Sequence, residues 1–200
     1  MAERLAQYKD NDSVIVLGLP RGGVCLADEV AKVLRAPMDL LLVRKLGTPQ
    51  NPEVAMGAIA LPSTHVMNQD VIQSYGLSKE DIDCIIAREE KVLHYRNELY
   101  RENKPQPDVR NKIVILVDDG IATGADMRAA ITAIKAQHPE KIVVAVPIAP
   151  EDALPAIRAL ADEVLCLNTP SPFLAVGQGY WDFEQVSDDE VIAVMKAFGL

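Results

Sequence analysis

Aromatic residues make up only 4% of this 200-residue chain, cysteine occurs three times, and no apolar run approaches the length of a bilayer span. Each scarcity removes a class of protein. Cys25, Cys84 and Cys166 are odd in number and far apart, with no C-x-x-C pair, so neither a disulfide framework nor a zinc site is expected, and a reducing cytoplasm fits. A transmembrane helix needs about 20 consecutive apolar residues, and an export signal needs a cationic stretch followed by an apolar one. Neither pattern is present, so a soluble, unexported protein with no membrane partner is expected. Positive charge is also short. Twenty Lys and Arg against 29 Asp and Glu leave a net charge of −9, and no basic patch interleaved with aromatics interrupts it, which excludes nucleic acid as an expected partner. His65, His94 and His138 are scattered, without an H-E-x-x-H pair or an evident nucleophile constellation, and read as surface or packing residues.

The remainder is rich in apolar residues: 49% of the chain is hydrophobic, and its length suits one domain with a sizeable core. Apolar strands are expected at about 14–18, 38–43, 113–117, 141–148 and 163–167, with helices at about 24–35, 125–137 and 151–161. This alternation predicts an α/β fold with a central parallel sheet flanked by helices. Residues 53–68 are expected to form a hairpin over the site. Residues 78–103 read as a charge-rich helix opened by a Ser78-x-x-Asp81 capping start, with Ile82, Ile85, Ile86, Leu93 and Leu99 as an apolar stripe that covers the hairpin or a second subunit. Lys104-Pro105-Gln106-Pro107 is too short a linker to separate two domains, so a single domain spans 1–200. The chain starts almost at a helix, Glu3–Tyr8, and an element before it is expected.

The most informative stretch is Ile113-Val114-Ile115-Leu116-Val117-Asp118-Asp119-Gly120-Ile121-Ala122-Thr123-Gly124. Five β-branched or leucine residues read as a central parallel strand, and the residues after such a strand lie at the sheet's carboxyl edge, where open α/β sheets bind ligands. Adjacent carboxylates there can accept bonds from vicinal hydroxyls or hold Mg2+, and the turn 120–124 exposes backbone N–H groups at a helix start, a phosphate cradle. The order suits a sugar phosphate; an ordinary strand-to-helix turn with Asp as N-cap is the other reading. Val14-Ile15-Val16-Leu17-Gly18-Leu19-Pro20-Arg21-Gly22-Gly23 repeats the logic, with two glycines allowing close approach of an anion and Arg21 offering a forked donor set.

Val117 to Gly124 resembles the phosphoribosyl pyrophosphate (PRPP) motif of type I phosphoribosyltransferases, and Pro20-Arg21-Gly22-Gly23 resembles that family's pyrophosphate loop. The resemblance implies the type I phosphoribosyltransferase fold, with a core of about 12–167, a flexible lid hairpin of about 44–68 and a small C-terminal hood of about 168–186. It assigns the ribose hydroxyls, and Mg2+, to Asp118 and Asp119. The 5-phosphate falls to Gly120, Ile121, Ala122, Thr123, Gly124, Ala125 and Asp126. Arg44 and Lys45, at the end of the strand 38–43, would join Pro20, Arg21, Gly22 and Gly23 on the pyrophosphate, with Asp118, Asp119, Arg21 and Lys45 as the catalytic set. Arg44-Lys45-Leu46-Gly47 together with Pro52-Glu53-Val54-Ala55-Met56-Gly57-Ala58-Ile59 resembles one bacterial branch of the family.

Two departures stand out. Ala122 replaces the Asp that serves near the base in members acting on hypoxanthine or guanine, and Asp126 stands where the family usually offers a Ser or Thr hydroxyl to the phosphate. Asp126 either faces the phosphate and repels it or acts as a favourable charge in the first helical turn. The tail 169–183 gathers aromatics; Phe173, Tyr180 and Trp181 are candidates to stack a base in the hood or to pack the hood or a dimer contact, and Asp182 is a candidate for base or metal. The resemblance implies a Mg2+-dependent transfer of 5-phosphoribosyl from PRPP to a nitrogenous base or similar small-molecule acceptor, by a cytoplasmic homodimer. A non-catalytic PRPP or nucleotide sensor and a phosphoribosyl hydrolase remain open beside it.

Overall fold

The computed structural model describes residues 1–52, 54–61, 63–102 and 104–199. A 3-10 helix, Ala2–Tyr8, precedes β1 (Val14–Gly18) and α1 (Gly22–Leu34), then β2 (Met38–Leu40), β3 (Val43–Gly47), β4 (Ala55–Ala60), β5 (Thr64–Met67), α2 (Gln69–Ser74) and α3 (Lys79–Arg101). β6 (Ile113–Val117), α4 (Ala125–Lys135), β7 (Lys141–Ile148), α5 (Leu154–Arg158), β8 (Glu163–Asn168) and α6 (Asp188–Ala197) complete the order.

The five strands of the main sheet run in the order β2-β1-β6-β7-β8, all pairs parallel, as the alternation of apolar runs and amphipathic helices predicts. Both faces are covered, and successive residues of one strand go to opposite sides. Val14 and Val16 of β1 and Ile115 and Val117 of β6 pack under α1, α3 and α6. Ile15, Leu17, Val114 and Leu116 pack under α4 and α5. This two-sided burial is why the strands read as continuous apolar runs rather than as alternating ones.

The strand expected at 38–43 divides. Met38–Leu40 pairs with β1, and Leu41 N–H still reaches Gly18 O at 3.0 Å, but Val43 opens a separate three-stranded antiparallel sheet, β3-β4-β5. Leu41 and Leu42 are buried in opposite apolar clusters, so both are apolar for reasons of packing and hide the break. Arg44 and Lys45 therefore lie inside β3, opposite Ile59 and Ala58, rather than at the end of a core strand. The expected 53–68 hairpin is β4–β5 with β3 as a third strand; Glu53 and Pro62 lie outside the described residues.

The helix expected at 151–161 is a 3-10 turn, Glu151–Ala153, followed by the short α5, with Pro155 in its first turn. The long helix forms with the Ser78–Asp81 capping box in place, and its expected last residue, Asn103, lies outside the described residues. Ile85 and Leu93 of its stripe are buried, and α3 packs on β3, β4 and α6. At its last turn Arg101 is buried and pairs with buried Asp39 of β2, a tie between helix and sheet that burial alone sets against the arginine, lowering its pKa to about 10.

Candidate active site

β1 and β6 are neighbours in the sheet, with Gly18 opposite Val117, so their carboxyl ends deliver residues 19–23 and 118–124 to one edge. The two turns are in contact. A Cβ on Gly23 would lie 2.5 Å from Val117 O and 3.1 Å from Asp118 Oδ1, and one on Gly22 would lie 1.9 Å from Asp119 Oδ2. Real Cβ atoms do not come that close, so both positions require glycine. The sequence suggests glycine there for the approach of an anion; the structure adds the approach of the acidic pair itself.

Asp118 and Asp119 are partly buried, and Asp118 Oδ1 accepts the Asp119 N–H at 2.9 Å. Burial and then the charge of Asp119 push the Asp118 carboxyl well above the usual carboxylate range, with Asp126 adding to the rise. Burial also raises Asp119. The Tyr180 hydroxyl donates to Asp119 O at 2.6 Å, and burial beside the two acids raises its own pKa. Two carboxylates held in this way are short of positive charge, and hydroxyl donors or a cation would satisfy them.

The loop after them is fixed from below. Ile121 N–H donates to Ile148 O at 2.9 Å, Gly120 packs on Val176, and Gly124, at φ +74°, turns the chain into α4 as its N-cap. Thr123 is tied into the turn, its Oγ1 accepting the Ala125 N–H at 3.3 Å and its carbonyl accepting from Arg128 Nη1 at 3.1 Å. A cavity of about 220 Å³ lies over residues 118–127. The first N–H groups of a helix have no intrahelical acceptor, so this end of α4 has donors that an anion could take. Asp126 is exposed in the first turn of α4, the favourable end of a helix for a carboxylate, and it lines the same cavity.

Arginines border the dyad in two further cavities. Pro20, Arg21, Gly22, Asp118, Asp119, Phe183, Gln185 and Val186 line a cavity of about 510 Å³. Arg21 Nη1 stands 3.7 Å from Asp188 Oδ1, which also accepts the Tyr100 hydroxyl at 2.5 Å; burial, then that bond, lifts the Tyr100 pKa to about 12. Arg44 reaches the dyad from β3, lining a third cavity, of about 200 Å³, that includes Asp118 and Asp126. Its Nε donates to Glu89 Oε2 at 2.8 Å, and Arg88 bonds the same carboxylate; the two arginines hold Glu89 below its ordinary pKa although burial opposes them. Asp188, Glu89 and Tyr100 had no sequence signal, because they belong to helices far along the chain and only the packing of α3 and α6 brings them in.

The aromatic candidates separate. Phe173 joins Ala122, Thr123, Arg128, Glu151 and Asp152 around the largest of these cavities, about 620 Å³. Tyr180 instead turns under Asp119 and packs on Phe183, ring centroids 5.1 Å apart. Trp181 is fully exposed and Asp182 is exposed. Among the described residues no three His, Cys, Asp or Glu side chains converge as a metal cage. Mg2+ commonly rests on one or two carboxylates, completing its shell with water and substrate phosphates, so the paired acids fit an ion that arrives with a phosphorylated substrate.

The chain is similar to known proteins over nearly its whole length. Two proteins from two strains of Mycobacterium tuberculosis, each named "Putative phosphoribosyl transferase", are 47% identical to it over 195 residues, 98% of this chain. The chain spans 44% of the length of those relatives. The crystal structure of TT1426 from Thermus thermophilus superposes with a TM-score of 0.90 at 41% identity, covering 98% of this chain and 93% of that one. The phosphoribosyl transferase domain family matches residues 1–184, and the chain belongs to that family.

Proposed function

We propose that the protein transfers the 5-phosphoribosyl group of PRPP to a nitrogenous base or similar acceptor and releases pyrophosphate. The observation that carries this reading is the contact between Gly22 and Gly23 of one turn and the Asp119 and Asp118 carboxylates of the other, with the start of α4 and the arginines lining the cavities around them. Ribose hydroxyls donate to Asp118 and Asp119, the 5-phosphate takes the N–H groups at the start of α4, and the diphosphate lies toward Arg21, Arg44 and Lys45. Asp118 and Asp119 would hold Mg2+, which would supply charge neutralisation to the leaving group. The anomeric carbon passes through an oxocarbenium-like state, so catalysis comes from positioning and electrostatics and needs no covalent nucleophile. The acceptor enters the cavity that Phe173 shares with Ala122 and Thr123, the hairpin β4–β5 serves as the lid, and the segment after β8 serves as the hood. A homodimer in the cytoplasm belongs to this reading.

A PRPP sensor is the second reading, favoured by the Asp126 carboxylate at the start of α4. The test is pyrophosphate release from PRPP and Mg2+ across a panel of bases. Acceptor-dependent release that falls at least 100-fold in Asp119→Ala is expected. Saturable PRPP binding without turnover would favour the sensor, and release independent of any base would mean hydrolysis.

A further inference from the structure

Three arginines line the cavities that border Asp118, and two are already engaged. Arg21 faces Asp188 and Arg44 is bonded to Glu89. The third, Arg96, projects from α3 into the cavity of about 200 Å³ that it shares with Pro20, Arg44, Asp118 and Asp126. It is only partly exposed, and among the described residues it has no hydrogen bond or ion pair. A guanidinium carries five donors in a planar fork, and those of Arg96 are free to meet the oxygens of a ligand that enters the cavity. Neither carboxylate in that cavity pairs with it, so the space between is left for a ligand with oxygen acceptors of its own.

We infer that Arg96 binds a phosphoryl group of the substrate, contributed from α3 rather than from either strand-to-helix turn, and that its charge offsets Asp126. This inference rests on the phosphoribosyl reading and extends it. The Ser or Thr expected two residues after Gly124 would add a donor, whereas Asp126 adds a negative charge where an anion must sit. A cation facing the same cavity restores the balance, and a guanidinium suits phosphate oxygens better than an ammonium because its fork matches them in pairs. The phosphoryl group is either the 5-phosphate or part of the diphosphate, since Pro20 of one turn and Asp126 of the other both border the cavity.

The test is calorimetric titration of PRPP, ribose 5-phosphate and pyrophosphate, each with Mg2+, into wild type, Arg96→Gln, Arg96→Lys and Lys91→Gln. Lys91 is exposed on the same helix and controls for a general loss of one positive charge. Near-UV circular dichroism establishes that each variant is folded. Arg96→Gln is expected to weaken PRPP at least 10-fold, with Arg96→Lys, which keeps the charge but loses the fork, between Arg96→Gln and wild type, and Lys91→Gln within twofold of wild type. The smaller probe that weakens with PRPP identifies the phosphoryl group. Wild-type affinity in Arg96→Gln, an equal loss in Lys91→Gln, or a folded Arg96→Lys as weak as Arg96→Gln would overturn the role of Arg96. A wild type that binds none of the three probes would instead overturn the phosphoribosyl reading, and the inference with it.

Discussion

Asp118 illustrates a cost that a binding site imposes on its own fold. Its carboxyl is raised by burial and by Asp119, so the folded state holds its proton more tightly than the unfolded chain does. The favourable contribution is therefore complete below the unfolded value of about 4 and is lost as pH rises through the folded value, so that relative to acid pH the carboxyl opposes folding at neutral pH in the ligand-free protein. Asp118→Asn keeps an oxygen able to accept the Asp119 N–H and removes the charge. Thermal unfolding without ligand should show the variant melting above wild type at pH 7, by about 2–4 °C for each kcal/mol relieved, with the gap closing as pH falls toward 4. A variant that melts at or below wild type at pH 7 would mean that the carboxyl does not carry this penalty. The residues of both turns were legible because each is a short contiguous run after an apolar strand. Arg96, Asp188, Glu89 and Tyr100 were not, since a lone charged or aromatic residue in a helix carries no mark of the site it faces.

At the scale of elements, α3 is the helix whose importance the sequence understates. Its charge suggests a solvated face, yet its last turn buries Arg101 against Asp39 of β2 and its middle supports β3 and β4. Breaking a buried ion pair by removing one partner leaves the other charge unsatisfied. Arg101→Ala should therefore cost about 3–5 kcal/mol, read as a lower denaturant midpoint, while a double change of Arg101 and Asp39 to apolar residues of similar volume should recover most of it. A loss under about 1 kcal/mol would show the pair to be dispensable. Val14–Gly18, Ile113–Val117 and Lys141–Ile148 were visible because burial on both faces writes a nearly continuous apolar run, and the edge strand Glu163–Asn168, only partly buried, was visible from its shorter apolar stretch. The break after Leu40 was hidden because Leu41 and Leu42, although outside any strand, are buried as deeply as the strand before them. The fate of 151–161 turned on Pro155, which suits a helix start and so places α5 later and makes it shorter than hydrophobic spacing suggests.

At the scale of the whole chain acidic residues outnumber basic ones, 29 Asp and Glu against 20 Lys and Arg, and Arg21, Arg44 and Arg96 line the cavities that border Asp118. With a net charge of −9, the surface at large repels the polyanionic substrate proposed above, so that proposal requires local donors: the start of α4, the glycine turn after β1, and the arginines of α3 and β3. No helix among the described residues is long and apolar enough to cross a membrane, and the three cysteines are free. Family membership fixes the scaffold, while the proposed acceptor site is the cavity around Phe173, which Glu151, Asp152 and Arg128 also line. The most direct measurement is calorimetric titration of PRPP with Mg2+ into wild type and Asp119→Ala. Saturable one-to-one binding to wild type, weakened at least 10-fold in a folded Asp119→Ala, is the expected result. Absence of binding to wild type, or equal binding to both, would contradict the assignment of the paired acids and the glycine turn as the PRPP site.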